Sequence, residues 1–201
     1  MVDDKGIVTA AVVVIGNEIL SGRTQDTNTN TIAKKLTDHG IRLMEARTVP
    51  DIEEMVVETV NEMRGKYDYV FTTGGIGPTH DDITADCIAK AFGVKIDIHP
   101  QAYQILEEHY GKEEFTPARA RMARIPDGAS LIPNPVSAAP GFYLENVYVF
   151  AGVPRIMQAM LDNVIGFLKG GTPVLSCSVS CSIPESEMAD DLGDLQKRYS
   201  D

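Results

Sequence analysis

The residues best suited to chemistry stand together near the middle of the chain, where His80, Asp81 and Asp82 follow a glycine-rich segment, Gly74–Gly77. Adjacent carboxylates can hold Mg²⁺ that bridges to phosphate oxygens, and a histidine changes its charge near neutral pH. Glycines allow a backbone to approach a ligand closely. This pattern predicts a phosphate site in which Asp81 and Asp82 hold a divalent metal and act in catalysis, while His80 relays a proton.

The flanking sequence indicates which elements position these residues. An apolar run, Tyr69–Phe71, predicts a strand, and the apolar spacing over Ile83–Phe92 predicts a helix. The unpaired N–H groups of the first helical turn would then face an anion held on the glycines. The glycine spacing itself matches neither a dinucleotide-binding fingerprint nor a P-loop. One aspartate could simply cap the helix, but a second adjacent carboxylate exceeds what a cap requires.

Strands and helices alternate over the first half of the chain. The predicted strands are Ile7–Ile15, Ile41–Val49, Tyr67–Thr72 and Val94–Ile98, and helices are predicted between them. This alternation predicts a three-layer α/β/α fold with a mostly parallel sheet. Ligands in such folds bind beyond the carboxyl ends of the strands. The polar loops after the first and third strands therefore fall at the same edge.

The second half of the chain begins with helical segments and a group of arginines. A helix is predicted over Pro100–Tyr110, and a shorter one from Pro117 carries Arg119, Arg121 and Arg124. These arginines could face an anionic ligand, but their spacing favours a solvated surface, since they do not share one helical face. After a turn at 125–129, a hairpin is predicted over residues 142–150, and a helix begins at Pro154.

Composition narrows the class of partner and compartment. The 201-residue chain has a net charge of −11, so a broad basic surface for nucleic acid is not expected. No apolar run is long enough to span a bilayer, so no membrane association is expected. The three cysteines are an odd number without a zinc spacing. We expect them to be reduced and buried in a cytoplasmic protein.

The run TTGGIGPTHDDIT, Thr72–Thr84, resembles the signature loop of the molybdopterin-binding fold. This fold is shared by MoaB/MogA-type proteins, by the competence/damage-inducible CinA proteins and by the N-terminal domain of eukaryotic FAD synthase. The GPTHDD form is more similar to the CinA and FAD-synthase branch. Ile76 stands where the MoaB branch usually has threonine, and Asp86 stands where the motif usually has glutamate.

Three further motifs carry the resemblance, which extends over roughly residues 8–195. GNEILSGRTQDTN, from Gly16, is similar to the first loop of the CinA proteins, and Pro133–Phe142 is similar to a proline-rich segment that borders the ligand site. Phe150–Arg155 resembles a PGVPxEM motif, although Ala151 and Ile156 replace its proline and glutamate. The role of that glutamate is therefore in doubt for this chain.

The resemblance assigns roles to individual positions. It implies that Asp26 lies near the phosphate or metal beside Asp81 and Asp82, although capping of the next helix is an equal alternative for Asp26. Glu18 and Arg23 are further candidates in the same loop. The implied phosphate and ligand contacts are Thr73, Gly74, Gly75, Gly77, Thr84, Asn28, Ser137 and Gly152.

The function that the resemblance implies is hydrolysis of a pyrophosphate-containing nucleotide or pterin with Mg²⁺ or a similar metal. ADP-ribose is the substrate implied by the CinA branch, and FAD the one implied by the FAD-synthase branch. The alternatives are a molybdopterin-binding protein without hydrolysis, a molybdopterin adenylyltransferase, or a structural role. Relatives in this fold form dimers and trimers, so a homo-oligomer is expected.

The chain is expected to divide near Lys169–Pro173. Residues 1–169 would form the molybdopterin-binding-like domain. Residues 170–201 would begin a small, incomplete second subdomain of CinA type, with a strand over Val174–Ile183 and a helix over Pro184–Tyr199. A strand and a helix cannot bury a core alone.

Overall fold

The computed structural model describes residues 6–173 and 177–199 of the chain. Eight strands lie in this described part. In chain order they are β1 (Val8–Ile15), β2 (Ile41–Val49), β3 (Tyr69–Thr73), β4 (Ile96–Ile98), β5 (Arg124–Pro126), β6 (Ser130–Ile132), β7 (Gly141–Leu144) and β8 (Val147–Phe150).

Six strands form one sheet in the order β2-β1-β3-β8-β7-β6. β1 pairs in parallel with β2 and β3, and β3 pairs in parallel with β8. β7 pairs antiparallel with β8 and β6. The carboxyl ends of β1, β3 and β8 therefore meet at one edge of the sheet, and the loops that leave them are neighbours.

The described part also contains eight α-helices and two short 3₁₀ helices, the latter at Arg121–Ala123 and Ile165–Phe167. In chain order the α-helices are α1 (Asn17–Leu20), α2 (Asn28–Asp38), α3 (Glu53–Lys66), α4 (Thr84–Phe92), α5 (Pro100–Tyr110), α6 (Pro117–Ala120), α7 (Pro154–Val164) and α8 (Glu185–Arg198).

Two apolar cores lie on the two faces of the sheet, because successive residues of a strand point to opposite sides. On one face Ala11, Val13 and Ile15 of β1 pack with α3, α4 and α5. On the other face Ala10, Val12 and Val14 pack with α2 and α7. Burial on both faces explains why β1 has no charged residue. The predicted three-layer α/β/α fold with a mostly parallel sheet is confirmed.

The fourth predicted strand differs from the expectation. The alternation placed it in the main sheet, but β4 pairs antiparallel with β5 in a separate two-stranded sheet. Ile98 is exposed there. β5 itself falls on part of the segment that was predicted to be a turn, residues 125–129. A strand of three residues is too short for its sequence pattern to indicate which sheet it joins.

The C-terminal part also departs from the prediction. Helix α8 agrees with the predicted one and has no buried residue. Residues 177–183 of the predicted strand are not in a strand, and residues 174–176 lie outside the described part. Cys87 is buried as expected, whereas Cys177 and Cys181 are exposed. The division of the chain near residue 169 stays a prediction.

Across residues 6–173 and 177–199, the helices lack the combination of length and apolar character that crossing a membrane requires.

Candidate functional site

A cleft of about 520 Å³ lies where the carboxyl ends of β1, β3 and β8 meet. Its walls come from the loop after β1, which contributes Glu18 and Thr24, and from the glycine turn after β3, residues 74–78. The loop after β8 adds residues 151–154, and the proline-rich loop adds Ser137. The edge predicted from the alternation of elements is therefore the edge that holds the cleft.

The glycine turn has a backbone that only glycine adopts readily. Gly74 and Gly75 have φ angles of 102° and 65°, which L side chains disfavour. A Cβ atom on Gly74 would lie 2.1 Å from the carbonyl oxygen of Ile15, and one on Gly75 would lie 2.2 Å from Thr84 Oγ1. The turn therefore packs directly against β1 and the start of α4.

The amide groups of this turn differ in what they contact. The Gly74 N–H already donates to the carbonyl of Phe150 at 3.1 Å, while Gly74 lines the cleft, so the ligand contact predicted for Gly74 stays a prediction. Within the described part of the chain, the N–H groups of Gly75, Ile76 and Gly77 have no hydrogen-bond partner. Successive unpaired N–H groups in a turn form an anion-binding concavity. Gly75 and Gly77 line the cleft, and the ligand contacts predicted for them stay predictions.

Thr84 lies beneath the turn. Its hydroxyl donates to the Gly74 carbonyl at 2.9 Å, and its N–H donates to the Gly75 carbonyl at 2.9 Å. The side chain is fully buried and does not line the cleft. Thr84 therefore fixes the turn on α4, and the ligand contact that the resemblance implied for it stays a prediction.

Asp82 is half-buried and lines the cleft beside the turn. Its Oδ2 atom accepts a hydrogen bond from the Thr79 N–H at 2.8 Å and another from the Thr79 hydroxyl. Helix α4 has no side-chain cap, so neither aspartate caps it. A Cβ atom on Gly77 would lie 2.6 Å from Asp82 Oδ2, which shows how closely the carboxylate approaches the turn.

Asp81 and His80 lie outside the cleft. Both are exposed, and neither lines the cleft. The pKa of the Asp81 carboxyl is lowered chiefly by the nearby Thr79 hydroxyl, then by its own backbone N–H and by His80. One hydroxyl proton cannot serve two carboxylates, and the geometry directs it to Asp82. The Thr79 hydroxyl lowers the pKa of Asp81 only when it is rotated to donate to Asp81 and not to Asp82.

Several polar side chains of the loop after β1 form hydrogen bonds within the protein. Asp26 Oδ1 accepts from the N–H groups of Asn28 and Thr29 at 2.9 and 3.2 Å, so Asp26 satisfies the first turn of α2. Asn28 Nδ2 donates to the Gly152 carbonyl at 2.8 Å, while its buried Oδ1 has no partner in the described part. Arg23 is exposed and donates to the Ser21 hydroxyl.

Asn134 is a residue of the site that the sequence did not single out. Its side chain is buried; Oδ1 accepts from the N–H groups of Val136 and Ser137, and Nδ2 donates to Ser137 Oγ and the Ala139 carbonyl. Asn134 therefore holds Ser137 at the cleft. Its place in the Pro133–Phe142 motif was the available signal. Thr73 and Gly152 line the adjoining end of the cleft beside Asn28.

Binding of the expected divalent metal depends on which side chains could hold it. Among described residues, no group of three or more His, Cys, Asp and Glu side chains is placed to hold a metal ion. Asp26, Asp81 and Asp82 therefore do not form the expected three-carboxylate set. The cleft does hold two carboxylates, Glu18 and Asp82. One or two carboxylates with ligand phosphate oxygens suffice for Mg²⁺, so the chemistry of this donor set suits a metal that binds together with a phosphate.

Comparison with known proteins agrees with this geometry. Residues 11–170 match the family described as "Probable molybdopterin binding domain". A protein of Pyrobaculum arsenaticum is 36% identical over 199 residues, which cover 94% of this chain and 75% of that protein. A CinA-like protein of Citrifermentans bemidjiense is 38% identical over 161 residues. These cover 77% of this chain but 39% of that protein, so the chain spans well under half of its length.

Two solved structures show the same fold. The protein CinA, of unknown function, from Thermoplasma acidophilum is 34% identical with a TM-score of 0.76, covering 80% of this chain and 98% of that one. The molybdopterin biosynthesis enzyme MoaB from Thermus thermophilus is 15% identical with a TM-score of 0.54, covering 81% and 92%. At that identity the likeness concerns the fold alone. The chain thus belongs to the family of probable molybdopterin-binding domains, as a CinA-like member with a MoaB/MogA-like fold.

Proposed function

We propose that the cleft binds a pyrophosphate-containing nucleotide or pterin and hydrolyses its pyrophosphate in a reaction that depends on a divalent metal. The observation that carries this proposal is the run of unpartnered N–H groups at Gly75, Ile76 and Gly77 beside the Asp82 carboxylate. The cleft volume of about 520 Å³ suits a small-molecule ligand. ADP-ribose and FAD are the substrates to test first.

Each residue has a part in this scheme. The three N–H groups bind one phosphate of the ligand, and Asp82 with Glu18 would hold the metal. A bound divalent cation neutralises phosphate charge and makes the phosphorus more electrophilic. Thr79 fixes Asp82 through two hydrogen bonds, so the carboxylate needs little reorganisation.

The reaction conserves atoms and charge as a hydrolysis. The oxygen of a water molecule forms a new bond to one phosphorus, and the bond from that phosphorus to the bridging oxygen breaks. The leaving phosphate keeps the electron pair, and the water proton is released. ADP-ribose would yield AMP and ribose phosphate. His80 is exposed outside the cleft, so the proton relay predicted for it has no support from its position.

A second candidate is binding of molybdopterin without hydrolysis, or its adenylylation. The observation in its favour is that the described cleft residues include no histidine and only two carboxylates, while Ile76, Met122, Val153 and Ile156 form an apolar wall. Such a wall suits a planar heterocycle, and the cleft would then present the pterin without cleaving it. The family description is consistent with this candidate.

The deciding experiment incubates the 201-residue protein with ADP-ribose or FAD and Mg²⁺ or Co²⁺, and measures release of AMP. We expect Asp82→Asn to slow release by at least about 100-fold, the scale of losing one transition-state charge contact. Asp127→Asn, which changes an exposed aspartate in the turn before β6, is the matched control and should leave the rate unchanged. Tight binding of molybdopterin with no turnover of either substrate would overturn the hydrolase proposal.

A further inference from the structure

The charged side chains that line the cleft are unfavourable for an anionic ligand such as pyrophosphate. Its charged wall residues are Glu18 and Asp82, both acidic, and no lysine or arginine of the described part lines it. The chain as a whole carries a net charge of −11. A pyrophosphate would therefore be attracted by the unpaired N–H groups but repelled by the two carboxylates. A bound divalent metal would offset part of this charge, but a cation from the chain itself would hold the ligand before any metal arrives.

Arginine 121 lies beside the glycine turn. A small recess of about 20 Å³ adjoins the cleft, and the same Gly75, Ile76, Gly77 and Asp82 line it. Arg121 and Arg124 also line it, together with Asp86 and several apolar residues. Met122, the residue after Arg121, lines both the recess and the cleft. The segment that carries Arg121 therefore lies beside the glycine turn.

The three neighbouring arginines have different partners. Arg119 donates to the carbonyl and carboxylate of Glu114 and stacks over the Tyr110 ring at 4.2 Å. Arg124 makes a two-fold hydrogen bond to Asp86 at 2.6 and 2.8 Å. Arg121 is exposed, and among the described residues its guanidinium has no hydrogen-bond or ion-pair partner, although its backbone is hydrogen-bonded within the helical turn.

Hydrogen bonds hold the backbone around Arg121, whereas its guanidinium has no partner among the described residues. Ala123 is buried, and its carbonyl accepts from the His99 N–H at 2.8 Å. The pair of Arg124 with Asp86 ties the segment to α4, which directly follows the glycine turn. Arginine binds phosphate well because its planar guanidinium can donate two parallel hydrogen bonds. A phosphate on the turn would therefore have an unengaged guanidinium beside it.

We infer that Arg121 is a phosphate-binding residue of this cleft, and that the Arg124–Asp86 pair is the positioning contact that holds its segment at the turn. This inference rests on the proposed function, because it requires a pyrophosphate on the N–H groups of Gly75–Gly77. It departs from the solvated-surface interpretation that the spacing of the three arginines favoured.

The test is calorimetric titration of the full chain with inorganic pyrophosphate at low ionic strength, with EDTA present so that no divalent metal contributes. We expect Arg121→Ala to weaken binding about tenfold, the scale of a lost charge-assisted hydrogen bond. Arg121→Lys should lose about threefold, since lysine keeps the charge without the planar pair of donors. The affinity of the wild type should fall with added NaCl more steeply than that of Arg121→Ala.

The matched control is Arg42→Ala on β2, which removes one positive charge from an exposed arginine away from the cleft. Its pyrophosphate affinity should stay within twofold of wild type. Equal affinities for wild type and Arg121→Ala would overturn the inference and leave the proposed function standing. No pyrophosphate binding by the wild type, with or without Mg²⁺, would overturn both. Unchanged melting temperatures for all three variants exclude misfolding as a cause.

Discussion

The loop after β1 and the loop after β3 leave the sheet at one edge, and both offer aspartates close to a helix start. In the first loop, Asp26 Oδ1 accepts hydrogen bonds from two N–H groups of α2, and Asn28 Nδ2 donates to the Gly152 carbonyl. In the second loop, Gly75–Gly77 keep unpaired N–H groups, and Asp82 lines the cleft. Similar residues thus stabilise the fold in one loop and form an open wall of the cleft in the other, because the backbone hydrogen bonds differ between the two loops.

The largest expected effect concerns Gly75 in the binding loop. Gly75→Ala places a Cβ atom 2.2 Å from Thr84 Oγ1 at a φ of 65°. Strain of the backbone and overpacking should together cost about 3 kcal/mol of unfolding free energy, measured by urea denaturation. Gly65→Ala, in α3 with open space around its Cβ, is the control and should stabilise by about 0.5 kcal/mol. Equal stability of the two variants would show that the turn is not held as described.

The next effect concerns the support beneath the turn. Thr84→Val removes the hydroxyl that donates to the buried Gly74 carbonyl, so unfolding free energy should fall by about 2 kcal/mol. Thr84→Ser keeps the hydroxyl and loses only a methyl group, so it should cost less than about 1 kcal/mol. If both variants lost the same stability, packing and not the hydrogen bond would account for the role of Thr84.

A smaller effect separates the two roles considered for Asp26. Asp26→Ala removes the acceptor for two N–H groups of α2 and should cost about 1 kcal/mol in the same urea measurement. Asp26→Asn keeps Oδ1 and should be nearly as stable as wild type. AMP release separates the roles further: if Asp26→Asn retains stability but loses turnover, Asp26 also contacts the metal or phosphate, and the contrast between the two loops weakens.

The smallest effect is expected at Asp81, which neighbours Asp82 but is exposed outside the cleft. An aspartate is already ionised at pH 7 at its ordinary pKa, and the pKa of Asp81 is lowered further, so Asp81→Asn removes one full surface charge. We expect AMP release within twofold of wild type in buffers of physiological ionic strength, where an exposed charge is screened. A loss comparable to that of Asp82→Asn would return Asp81 to the catalytic set that the sequence motif suggested.

Local patterns were sufficient for most of the fold. Helix α5 and strand β2 have the predicted boundaries, because each has a clear period and a glycine or proline at an end. The pairing of β4 with β5 was not predictable, since β5 lies far along the chain and each strand has three residues.

The candidate site divides in the same way. The sequence identified the turn and Asp82, because glycines and acids before a helix have a local meaning. It could not show that the Phe150 carbonyl takes the Gly74 N–H, or that Thr84 is turned inward, because these contacts involve distant residues or a side-chain direction. Nor could it show that Asp82 lines the cleft while Asp81 is exposed outside it, since adjacent residues in a loop can point in opposite directions.

The placement of β8 beside β3 has a consequence for how the protein folds. The turn after β3 is closed by the carbonyl of Phe150, and Asn28 reaches the carbonyl of Gly152, 124 residues away in the chain. Contacts of such long sequence separation form late, because the loop entropy must be overcome first. During synthesis, a chain that has emerged only as far as β7 can build β1–β3 and their helices but has no competent cleft. A chain arrested before β8 would therefore lack the part of the cleft wall that follows this strand, even where its secondary structure is native.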